Sequence, residues 1–366
     1  MEAGFDVVVI GGGPAGCTAA IRLARAGCRV AVLDKSRPGP FCVGETLPPQ
    51  ASPVLAELGL LDAFLAQNHR PAPGIVSAWG GAEPAVTDFL FSPYGSGWHI
   101  DRAAFNRLLG TAAGEAGAKY CADTTVLACG RSHSHWEIRP AAGATFRCRV
   151  LIDAAGRGTR GIPGLPARTM QDHLIAVAGV APPCGQTSDY TLIEATEAGW
   201  FYSALLPGGS YMVTFTTDAC LYADGRSRTS AYLDRQLSNA PLTRARVGAF
   251  PRHSRLFSAA STCRTHTALP GWLAAGDSAQ SFDPLSGLGL VHSLTGASRA
   301  ASAALDQLDG RLESSYQYDA YNRAAFAGYL RTRSEYYSLE CRWPEAPFWA
   351  RRRWTSEAAG PADLPA

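Results

Sequence analysis

A glycine-rich hexapeptide near the start of the chain has the spacing G-x-G-x-x-G. Its residues are Gly11, Gly12, Gly13, Pro14, Ala15 and Gly16. In this pattern Gly11 permits a tight turn, Gly13 lets bare backbone approach a pyrophosphate, and Gly16 lets a helix pack closely on a strand. The phosphates then lie at the helix N-terminus, where unpaired N–H groups and the helix dipole favour negative charge. Asp34 follows as an acceptor for a ribose diol, with Lys35 beside it, so these residues predict a dinucleotide site.

The secondary structure predicted around this hexapeptide has the order strand, turn, helix, strand. Residues 5–10 are an apolar run typical of a buried parallel strand, and the helix predicted over 14–26 ends at Gly27. A second buried strand, predicted over 29–33, ends at Asp34. A complete βαβ unit of this kind is the context in which the glycine signature becomes specific for a dinucleotide.

A second candidate cofactor segment lies far along the chain. The strand predicted over 271–275 ends at Gly276 and Asp277, which brings a carboxylate to the edge of a sheet. The next turn opens a helix predicted over 287–305, where glycines let backbone N–H groups approach the edge of a ring cofactor. The residues of this turn predicted to contact the cofactor are Pro284, Gly287, Leu288 and Gly289. An NAD enzyme does not explain this second segment, so the two segments together predict FAD.

The rest of the chain divides into segments of mixed helices and strands and a middle part that is rich in strands. The predicted helices cover 50–66, 101–116 and 312–354, and the predicted strands cover 124–128 and 147–153. The middle of the chain, from about 174 to 250, alternates β-rich runs with turns. The predicted organisation is an FAD-binding domain over 1–72, 100–170 and 262–310, a substrate domain over 73–99 and 171–261, and a helical segment over 311–366 with a frayed end at 357–366.

Composition argues against several classes of function. The formal net charge is +2 on 366 residues and there is no dense basic run, so no nucleic-acid partner is expected. The 10 cysteines form no C-x-x-C pair, which predicts reduced thiols, a cytoplasmic location and no metal site. No apolar run reaches the roughly 18 residues of a membrane span. Acidic residues precede the first strand, where a signal peptide would be basic.

Five motifs spread over the chain carry a resemblance to a known family. They are the glycine hexapeptide, Val43-Gly44-Glu45-Thr46-Leu47-Pro48, Ile100-Asp101-Arg102-Ala103-Ala104-Phe105, Leu151-Ile152-Asp153-Ala154-Ala155-Gly156 and the Gly276-Asp277 segment. With them the chain resembles, over nearly its whole length, the FAD-dependent aromatic monooxygenases. Within that family it is similar to the tryptophan-halogenase-like branch, and especially to the flavoprotein monooxygenases that mature tryptophylquinone amine and amino-acid oxidases.

This resemblance implies a fold and a cofactor site. The fold is α/β, a glutathione-reductase-type Rossmann-like FAD-binding domain with a β-rich substrate domain and a helical C-terminal tail. In the family, the loop that matches residues 44–47 and the arginine that matches Arg102 lie against the flavin or its phosphates. The residues assigned to FAD on this basis are Gly44, Glu45, Thr46, Leu47, Arg102, Val126, Asp153 and Gly156. No second dinucleotide signature occurs, so NAD(P)H or a partner reductase is expected as a transient electron donor.

Two features separate halogenation from oxygenation within this branch. Its halogenases shield the flavin with a W-x-W-x-I-P element and use a lysine to handle hypohalous acid. Here Trp200 fits the first tryptophan, but Tyr202 replaces the second and the I-P pair is missing. The lysines of the chain are Lys35 and Lys119, and neither is near Trp79, around which the branch would place that lysine. An arginine cannot replace it, because a guanidinium stays protonated and is no nucleophile.

The expected reaction is hydroxylation of an aromatic, indole-like substrate through a C4a-hydroperoxyflavin. The substrate is free, or is a tryptophan borne on a peptide or partner protein. The candidate catalytic residues are His99, Trp200, Tyr202 and Pro284. His99 also suits an ordinary strand end, and the aromatic rings also suit core packing. The alternatives that stay open are a flavin-dependent halogenase, a flavin dehydrogenase or oxidase, and a non-catalytic flavin-binding maturation partner.

Overall fold

The structure, a computed structural model, describes residues 3–35, 42–81, 83–132, 134–157, 165–223 and 230–352. Its strands are β1 (Ala3–Ile10), β2 (Val30–Leu33), β3 (Thr46–Leu47), β4 (Arg70–Ala72), β5 (Gly74–Ala78), β6 (Ala85–Asp88), β7 (Gly97–His99), β8 (Lys119–Cys121), β9 (Val126–Arg131), β10 (Trp136–Pro140), β11 (Phe146–Asp153), β12 (Arg168–Met170), β13 (Leu174–Ala181), β14 (Thr191–Thr196), β15 (Gly199–Leu205), β16 (Tyr211–Asp218), β17 (Ser254–Ser258), β18 (Thr262–Arg264), β19 (Ala268–Leu269), β20 (Trp272–Ala274) and β21 (Gln280–Ser281). Its α-helices are α1 (Pro14–Arg25), α2 (Ala51–Glu57), α3 (Leu61–Leu65), α4 (Arg102–Glu115), α5 (Ala219–Ala223), α6 (Ser230–Ser238), α7 (Pro241–Val247), α8 (Gly289–Leu308), α9 (Glu313–Leu339) and α10 (Pro347–Ala350). Short 3-10 turns cover Gly276–Ser278 and Pro284–Ser286.

A mainly parallel sheet carries the glycine hexapeptide at the end of its central strand. Its strands lie in the order β19-β20-β11-β1-β2-β8, and β9 and β10 form a hairpin beside β11. Val7 and Val9 pack in one core with α1 and α8, whereas Val8 packs in another core with Trp136 and Trp272. Both faces of β1 are therefore covered, which explains its continuous apolar run. The predicted βαβ unit is confirmed, since β1 and β2 pair in parallel across α1.

A second sheet of seven strands has the order β17-β13-β16-β15-β14-β5-β6. Two separate stretches of the chain build it, because β5 and β6 join the strands that follow residue 173. Phe201 and Phe215 on one face form a core with Leu233 of α6. Side chains alternate along a strand, so Trp200 and Tyr202 on β15 face the opposite side. The α/β fold predicted from the sequence is confirmed.

Two small sheets join these layers. One has the order β3-β7-β4, and the other has the order β12-β18-β21. Arg264 of β18 pairs with Asp153 of β11 at 2.7 Å in a buried contact. His99 of β7 bonds to strands of the seven-stranded sheet. Buried polar contacts therefore fix how the small sheets sit against the large ones.

Two predicted helices have different bounds in the structure, in each case because a glycine adopts a positive φ that the apolar pattern does not indicate. The helix predicted over 50–66 is two helices, α2 and α3, because Gly59 turns the chain with a φ of 64°. The helix predicted from Gly287 begins at Gly289 instead. Gly287 adopts a φ of 61° and closes the preceding 3-10 turn, so it cannot belong to α8.

The C-terminal tail is not one helical run over 312–354, as predicted. α9 ends at Leu339, and the chain is extended at Glu340 before the short α10. The carboxylate of Glu340 accepts a hydrogen bond from the backbone N–H of Gly80 at 2.8 Å, which ties the break to the seven-stranded sheet. Pro344 lies in the break and cannot continue a helix. Trp354 and the segment 357–366 lie outside the described residues.

Candidate active site

The glycine hexapeptide forms a turn in which glycine is required at two positions and leaves open space at a third. A Cβ at Gly11, whose φ is 102°, would lie 2.3 Å from the carbonyl oxygen of Ala154, and one at Gly16 would lie 1.8 Å from that of Gly11. No described atom lies within 4 Å of a Cβ built at Gly13. Bare backbone therefore faces outward at the N-terminus of α1, which begins at Pro14.

The second glycine segment meets the first in space. Gly276 has a φ of 60°, and a Cβ there would lie 2.7 Å from the Cβ of Ala15. The next residue, Asp277, forms an ion pair in which Nε of Arg157 lies 2.9 Å from its Oδ2. Arg157 also donates to the carbonyl oxygen of Phe282 at 2.7 Å. The two segments thus line one cleft, and Arg157 fixes the carboxylate of Asp277 within it.

The predicted ribose-binding carboxylate stands beside the glycine turn. The hydroxyl of Tyr120 donates to Oδ2 of Asp34 at 2.9 Å, and a Cβ at Gly12 would lie 2.7 Å from the same oxygen. Burial, with nearby negative charge, raises the pKa of Tyr120, so its hydroxyl stays a donor. Lys35 is exposed one residue later, and Val126 is half-buried at the start of β9.

Arg102, the first residue of α4, is half-buried, and two of its guanidinium nitrogens are enclosed by the protein. Its Nε and Nη1 are buried, and neither has a hydrogen-bond acceptor among the residues that the structure describes. Burial lowers the pKa of the guanidinium, and a buried charge without a partner destabilises a fold. Gly44 has a φ of 90°, and a Cβ there would lie 3.6 Å from Nε of Arg102. The site therefore fits an anionic group, as the phosphates or ring of FAD would supply.

The loop before β3 brings a buried carboxyl group to the same cleft. Glu45 is 4% exposed, and its Oε2 accepts a hydrogen bond from the backbone N–H of Gly44 at 2.9 Å. Burial raises the pKa of Glu45, while hydrogen bonds, first from the Tyr202 hydroxyl, and the charge of Arg102 oppose it. Thr46 hydrogen-bonds to the Tyr202 hydroxyl. One hydroxyl of the seven-stranded sheet thus contacts two consecutive residues of this loop.

The turn before α8 presents bare backbone to the cleft. Oδ1 of Asp283 accepts from the backbone N–H of Leu285 at 2.9 Å, and its Oδ2 accepts from the Tyr337 hydroxyl at 2.8 Å. No described atom lies within 4 Å of a Cβ built at Gly287 or Gly289. The exposed residues of this turn are Pro284, Gly287 and Leu288. The side chain of Asp283 therefore fixes the turn, while the backbone at Gly287 and Gly289 stays uncovered.

A row of half-buried side chains crosses the middle of the seven-stranded sheet. The row consists of Ser77, Ile193, Tyr202 and Thr214. Tyr202 pairs with Ile193 on one side and with Thr214 on the other. The next positions of β15 on the same face, Trp200 and Ala204, are buried. The row therefore keeps some exposure where the sheet meets the loop of residues 44–47, and we call the space beside it, as a candidate substrate site, the substrate cavity.

His99 lies deeper than a cavity residue. It is fully buried, and its Nδ1 lies 3.0 Å from the carbonyl oxygen of Leu205. Its Nε2 lies 2.9 Å from Oγ1 of Thr191. Burial lowers the pKa of His99 to about 4, so the ring is neutral at ordinary pH. His99 therefore joins β7 to the seven-stranded sheet, which is the strand-end role that the sequence left open.

Other predicted cofactor residues shape the cleft through backbone and packing. Oδ2 of Asp153 is engaged by Arg264, so this carboxylate braces the end of β11. The carbonyl oxygen of Gly156 accepts a hydrogen bond from Arg168 at 2.7 Å. Leu47 is fully buried in the core that contains α1. The side chains of Asp153 and Leu47 and the backbone of Gly156 therefore brace the loops that carry the cleft.

Two polar residues of the site were not predicted from the sequence. Arg157 directly follows the motif that ends at Gly156, and it bonds to Asp277. Tyr120 bonds to Asp34 from the neighbouring strand β8. A polar group at the end of a strand next to β2 is the signal that could have identified Tyr120, since neighbouring strand ends in a parallel sheet meet at one edge.

The tryptophans near these elements pack in two different places. Trp98 packs edge-on to Phe64 at 5.7 Å in the core beneath α4. Trp200 is 1% exposed and donates from Nε1 to the Tyr337 hydroxyl at 3.1 Å. Trp79 contacts Trp200 at 6.4 Å between ring centroids. The rings therefore pack within the protein, and Tyr202 is the aromatic residue that borders the cavity.

Other classes of site are sparse in the described part of the chain. No group of three or more His, Cys, Asp or Glu side chains there is placed to hold a metal ion. No helix within the described ranges has the length and apolar character needed to cross a membrane. A separate surface cavity of about 290 Å³ lies between β19 and α9 and is lined mainly by apolar atoms.

Comparisons with known proteins agree with this geometry. A family model described as an FAD binding domain matches residues 4–327. The FAD-dependent oxidoreductase LodB of Marinomonas mediterranea is 30% identical over 360 residues, covering 95% of this chain and 96% of that protein. The branch of flavoproteins predicted from the motifs is confirmed.

Two solved structures share the fold. The myxobacterial chondrochloren halogenase CndH superimposes with a TM-score of 0.88 at 23% identity, covering 97% of this chain and 87% of that one. The peptidyl tryptophan dihydroxylase QhpG, essential for tryptophylquinone cofactor biogenesis, superimposes with a TM-score of 0.79 at 23% identity, covering 100% of this chain and 80% of that one. A halogenase and a hydroxylase thus have the same architecture, and the fold alone does not choose between their reactions.

Proposed function

From the premise that this chain belongs to the FAD binding domain family and is an FAD-dependent oxidoreductase, we propose that it hydroxylates an aromatic, indole-like group in the substrate cavity. The observation that carries the proposal is the half-buried row centred on Tyr202, which stands where the chain's own flavin-binding loops meet an open sheet face. A ring lying on this row would contact Ile193, with the hydroxyl groups of Ser77 and Thr214 at the two ends of the row.

The residues at the cleft fit FAD in an extended form. The open backbone at Gly13 and the N-terminus of α1 suit the pyrophosphate, and Asp34 suits the ribose. Arg102 supplies the positive charge that lacks a protein acceptor in the described chain, and the turn of residues 284–289 suits the edge of the ring. When bound, FAD supplies the activation of molecular oxygen. We assign its reduction to NAD(P)H or a partner reductase that acts from outside.

The placement of the lysines supports hydroxylation over halogenation. Lys35 is exposed beyond β2, and Lys119 begins β8 with its ammonium 5.9 Å from the ring centre of Phe146. Both therefore belong to the parallel sheet. Trp79 occupies the region where the related halogenases place their lysine, and its ring packs 5.2 Å from that of Trp349. The indole of Trp79 has no amine with which hypohalous acid could react, so Trp79 cannot replace that lysine.

Glu45 and Tyr202 are the groups that manage protons in this proposal. A carboxyl whose pKa is raised by burial holds its proton to higher pH. It can donate that proton to the oxygen atom that acts as the leaving group when the ring is hydroxylated. Tyr202 contacts Glu45 and Thr46, so its hydroxyl is oriented before a substrate arrives. The seven-stranded sheet and this loop together exclude water from the ring that is oxidised.

A peptide as carrier of the aromatic group is supported by an exposed apolar segment on the same sheet. Val86 is 61% exposed, Leu90 is 78% exposed and Phe91 is 91% exposed. Val86 lies on β6, an edge strand of the sheet whose four residues are all exposed. An extended peptide can add to such an edge by backbone hydrogen bonds. We therefore propose that the indole is presented on an extended protein segment.

The experiment that tests the proposal measures oxygen incorporation. The FAD-loaded protein is incubated with NADH or dithionite-reduced flavin, labelled oxygen gas, and either free indoles or tryptophan-containing peptides, with chloride and bromide present. Mass spectrometry should find one labelled atom on the aromatic group. A halogenated product would transfer the assignment to halogenation, and peroxide without any labelled product would transfer it to an oxidase. Tight partner binding without turnover would favour a maturation partner.

A further inference from the structure

Five aromatic side chains outside the cleft form a continuous path that the proposed reaction does not use. We call them the aromatic chain: Trp200, Tyr337, Trp79, Trp349 and Trp343. The ring centroids of Trp79 and Tyr337 are 5.5 Å apart, those of Trp79 and Trp349 are 5.2 Å apart, and those of Trp349 and Trp343 are 6.3 Å apart. Trp200 and Trp349 are buried, whereas Trp343 is half-buried and reaches solvent. The path therefore leads from behind Tyr202 to the surface.

The inner end of the aromatic chain contacts the turn that faces the cleft. The Tyr337 hydroxyl accepts a hydrogen bond from Nε1 of Trp200 at 3.1 Å and donates to Oδ2 of Asp283 at 2.8 Å. Asp283 directly precedes Pro284. Burial raises the pKa of Asp283, so this carboxylate is a competent proton acceptor for the phenol.

The charges around the aromatic chain are paired. Arg342 lies 4.4 Å from the ring centre of Trp343, and its guanidinium is neutralised by Glu340 at 2.6 Å. Arg352 lies 5.3 Å from the ring centre of Tyr337 and forms an ion pair with Asp218. Asp218 also pairs with Arg351. Because Arg342 and Arg352 both contact a carboxylate, they oppose the passage of an electron vacancy along the rings less than unpaired cations would.

We propose that the aromatic chain conducts single oxidising equivalents from the flavin turn to the protein surface. The oxidant is a photoexcited oxidised flavin, which keeps the electron that it accepts. It takes one electron from Trp200 or Tyr337, and Tyr337 passes its phenolic proton to Asp283 as it is oxidised. Trp349 and then Trp343 each give up an electron in turn, and Tyr337 recovers its proton. Trp343 loses its indole proton to water, and a thiol in solution restores it by giving back one electron and one proton.

The test uses light and needs no substrate. The FAD-loaded protein is illuminated with blue light under anaerobic conditions with excess dithiothreitol, and the loss of the yellow flavin absorbance is followed. Trp349→Phe and Trp343→Phe should each slow this bleaching severalfold, because each removes one step of the path. Trp98→Phe, which removes a half-buried tryptophan outside the aromatic chain, should leave the rate unchanged. Wild-type rates in both chain variants would overturn the proposal.

A second measurement keeps the proposal independent of folding defects and of the hydroxylation reaction. The same protein is illuminated in air without thiol, and oxidised residues are mapped by peptide mass spectrometry. Oxidation should collect at Trp343 in the wild type and at Trp349 or Trp79, the rings that precede it, in Trp343→Phe. Trp343 is half-buried, so this variant is expected to fold and to retain FAD. An unmodified Trp343 beside oxidised inner rings in the wild type would contradict the direction of flow, whatever the enzyme's substrate proves to be.

Discussion

The parallel sheet and the seven-stranded sheet build their parts of the active site by opposite means. In the parallel sheet the decisive positions are those where a side chain has no room, as at Gly11, Gly16 and Gly276. In the seven-stranded sheet they are side chains left half-exposed, with Tyr202 at the centre. Cofactor binding should therefore respond to backbone shape, and substrate oxidation to side-chain chemistry. Substitutions in the two regions should separate these properties.

The largest effect is expected from glycine replacements in the hexapeptide. Gly16→Ala would place a Cβ 1.8 Å from a carbonyl oxygen, so we expect the unfolding free energy to fall by about 3 kcal/mol. Gly13→Ala is the matched control, because Gly13 has an ordinary φ of −75° and its Cβ would project into open space. That variant should fold normally and lose FAD. Denaturant unfolding and FAD titration distinguish the two, and equal stability of both variants would break the comparison.

Acid should weaken the contact that His99 makes between the small β3-β7-β4 sheet and the seven-stranded sheet. Its pKa is lowered to about 4 in the folded protein, below the unfolded value of about 6.5. The stability that neutral His99 contributes is therefore present above the unfolded value and is lost as the pH falls through the folded one, by about 3 kcal/mol at most. His99→Asn should flatten the fall in unfolding free energy over this range. His253→Asn, an exposed histidine, should not.

Replacing Arg102 should lower FAD affinity without lowering the unfolding free energy of the FAD-free protein. Arg102→Leu removes a half-buried cation whose Nε and Nη1 have no acceptor in the described chain, so the FAD-free protein should become as stable or more stable. FAD affinity should fall about a hundredfold, or roughly 3 kcal/mol. Arg107→Leu changes an exposed arginine of the same helix and should alter neither property. Unchanged FAD affinity in Arg102→Leu would remove Arg102 from the cofactor site.

Tyr202 should affect the reaction without affecting FAD. Tyr202→Phe removes one hydroxyl, and we expect about a tenfold lower turnover, the equivalent of one lost hydrogen bond, with unchanged FAD affinity. The rate of the wild type should fall as the pH rises through the raised pKa of Glu45, because the protonated carboxyl is the active form. Glu45→Gln should lower the rate and remove that fall. A pH profile of turnover that both variants share with the wild type would contradict these roles.

The smallest effect is expected at the edge of the seven-stranded sheet. Phe91→Ser should raise KM severalfold for a tryptophan-containing peptide and leave KM for a free indole unchanged, because Phe91 is 91% exposed and does not belong to the half-buried row. Leu127→Ser alters an exposed apolar residue of the parallel sheet and serves as the control. Equal effects on peptide and free indole would exclude this edge as a peptide-binding surface.

The cofactor cleft was more predictable than the substrate cavity for a physical reason. The roles of Gly11 and Gly16 follow from local backbone sterics, so the spacing of the hexapeptide was enough to assign them. Tyr202 was recognised as a candidate, but its contacts with Glu45 and Thr46 join residues far apart in sequence and could not be predicted. Arg157 was missed for the same reason, because its partner Asp277 is reached through the fold.

The helices that pack beside the parallel sheet differ in how well their bounds were predicted. The strand at residues 5–10 and the helix after Pro14 are long and strongly patterned, and they were predicted almost to the residue. Gly59 stands in an apolar pattern that continues across it, so the division of α2 from α3 was hidden. Periodicity reports which face is buried and not whether one glycine adopts a positive φ.

The contact between Gly276 and Ala15 sets the order of events during synthesis. A ribosome delivers Ala15 long before Gly276, yet the cleft exists only when these two residues touch. The nascent chain therefore cannot capture its coenzyme on the ribosome through the hexapeptide alone. Loading belongs to the finished polypeptide, and cells starved of riboflavin should accumulate folded, colourless protein that turns yellow when the vitamin returns.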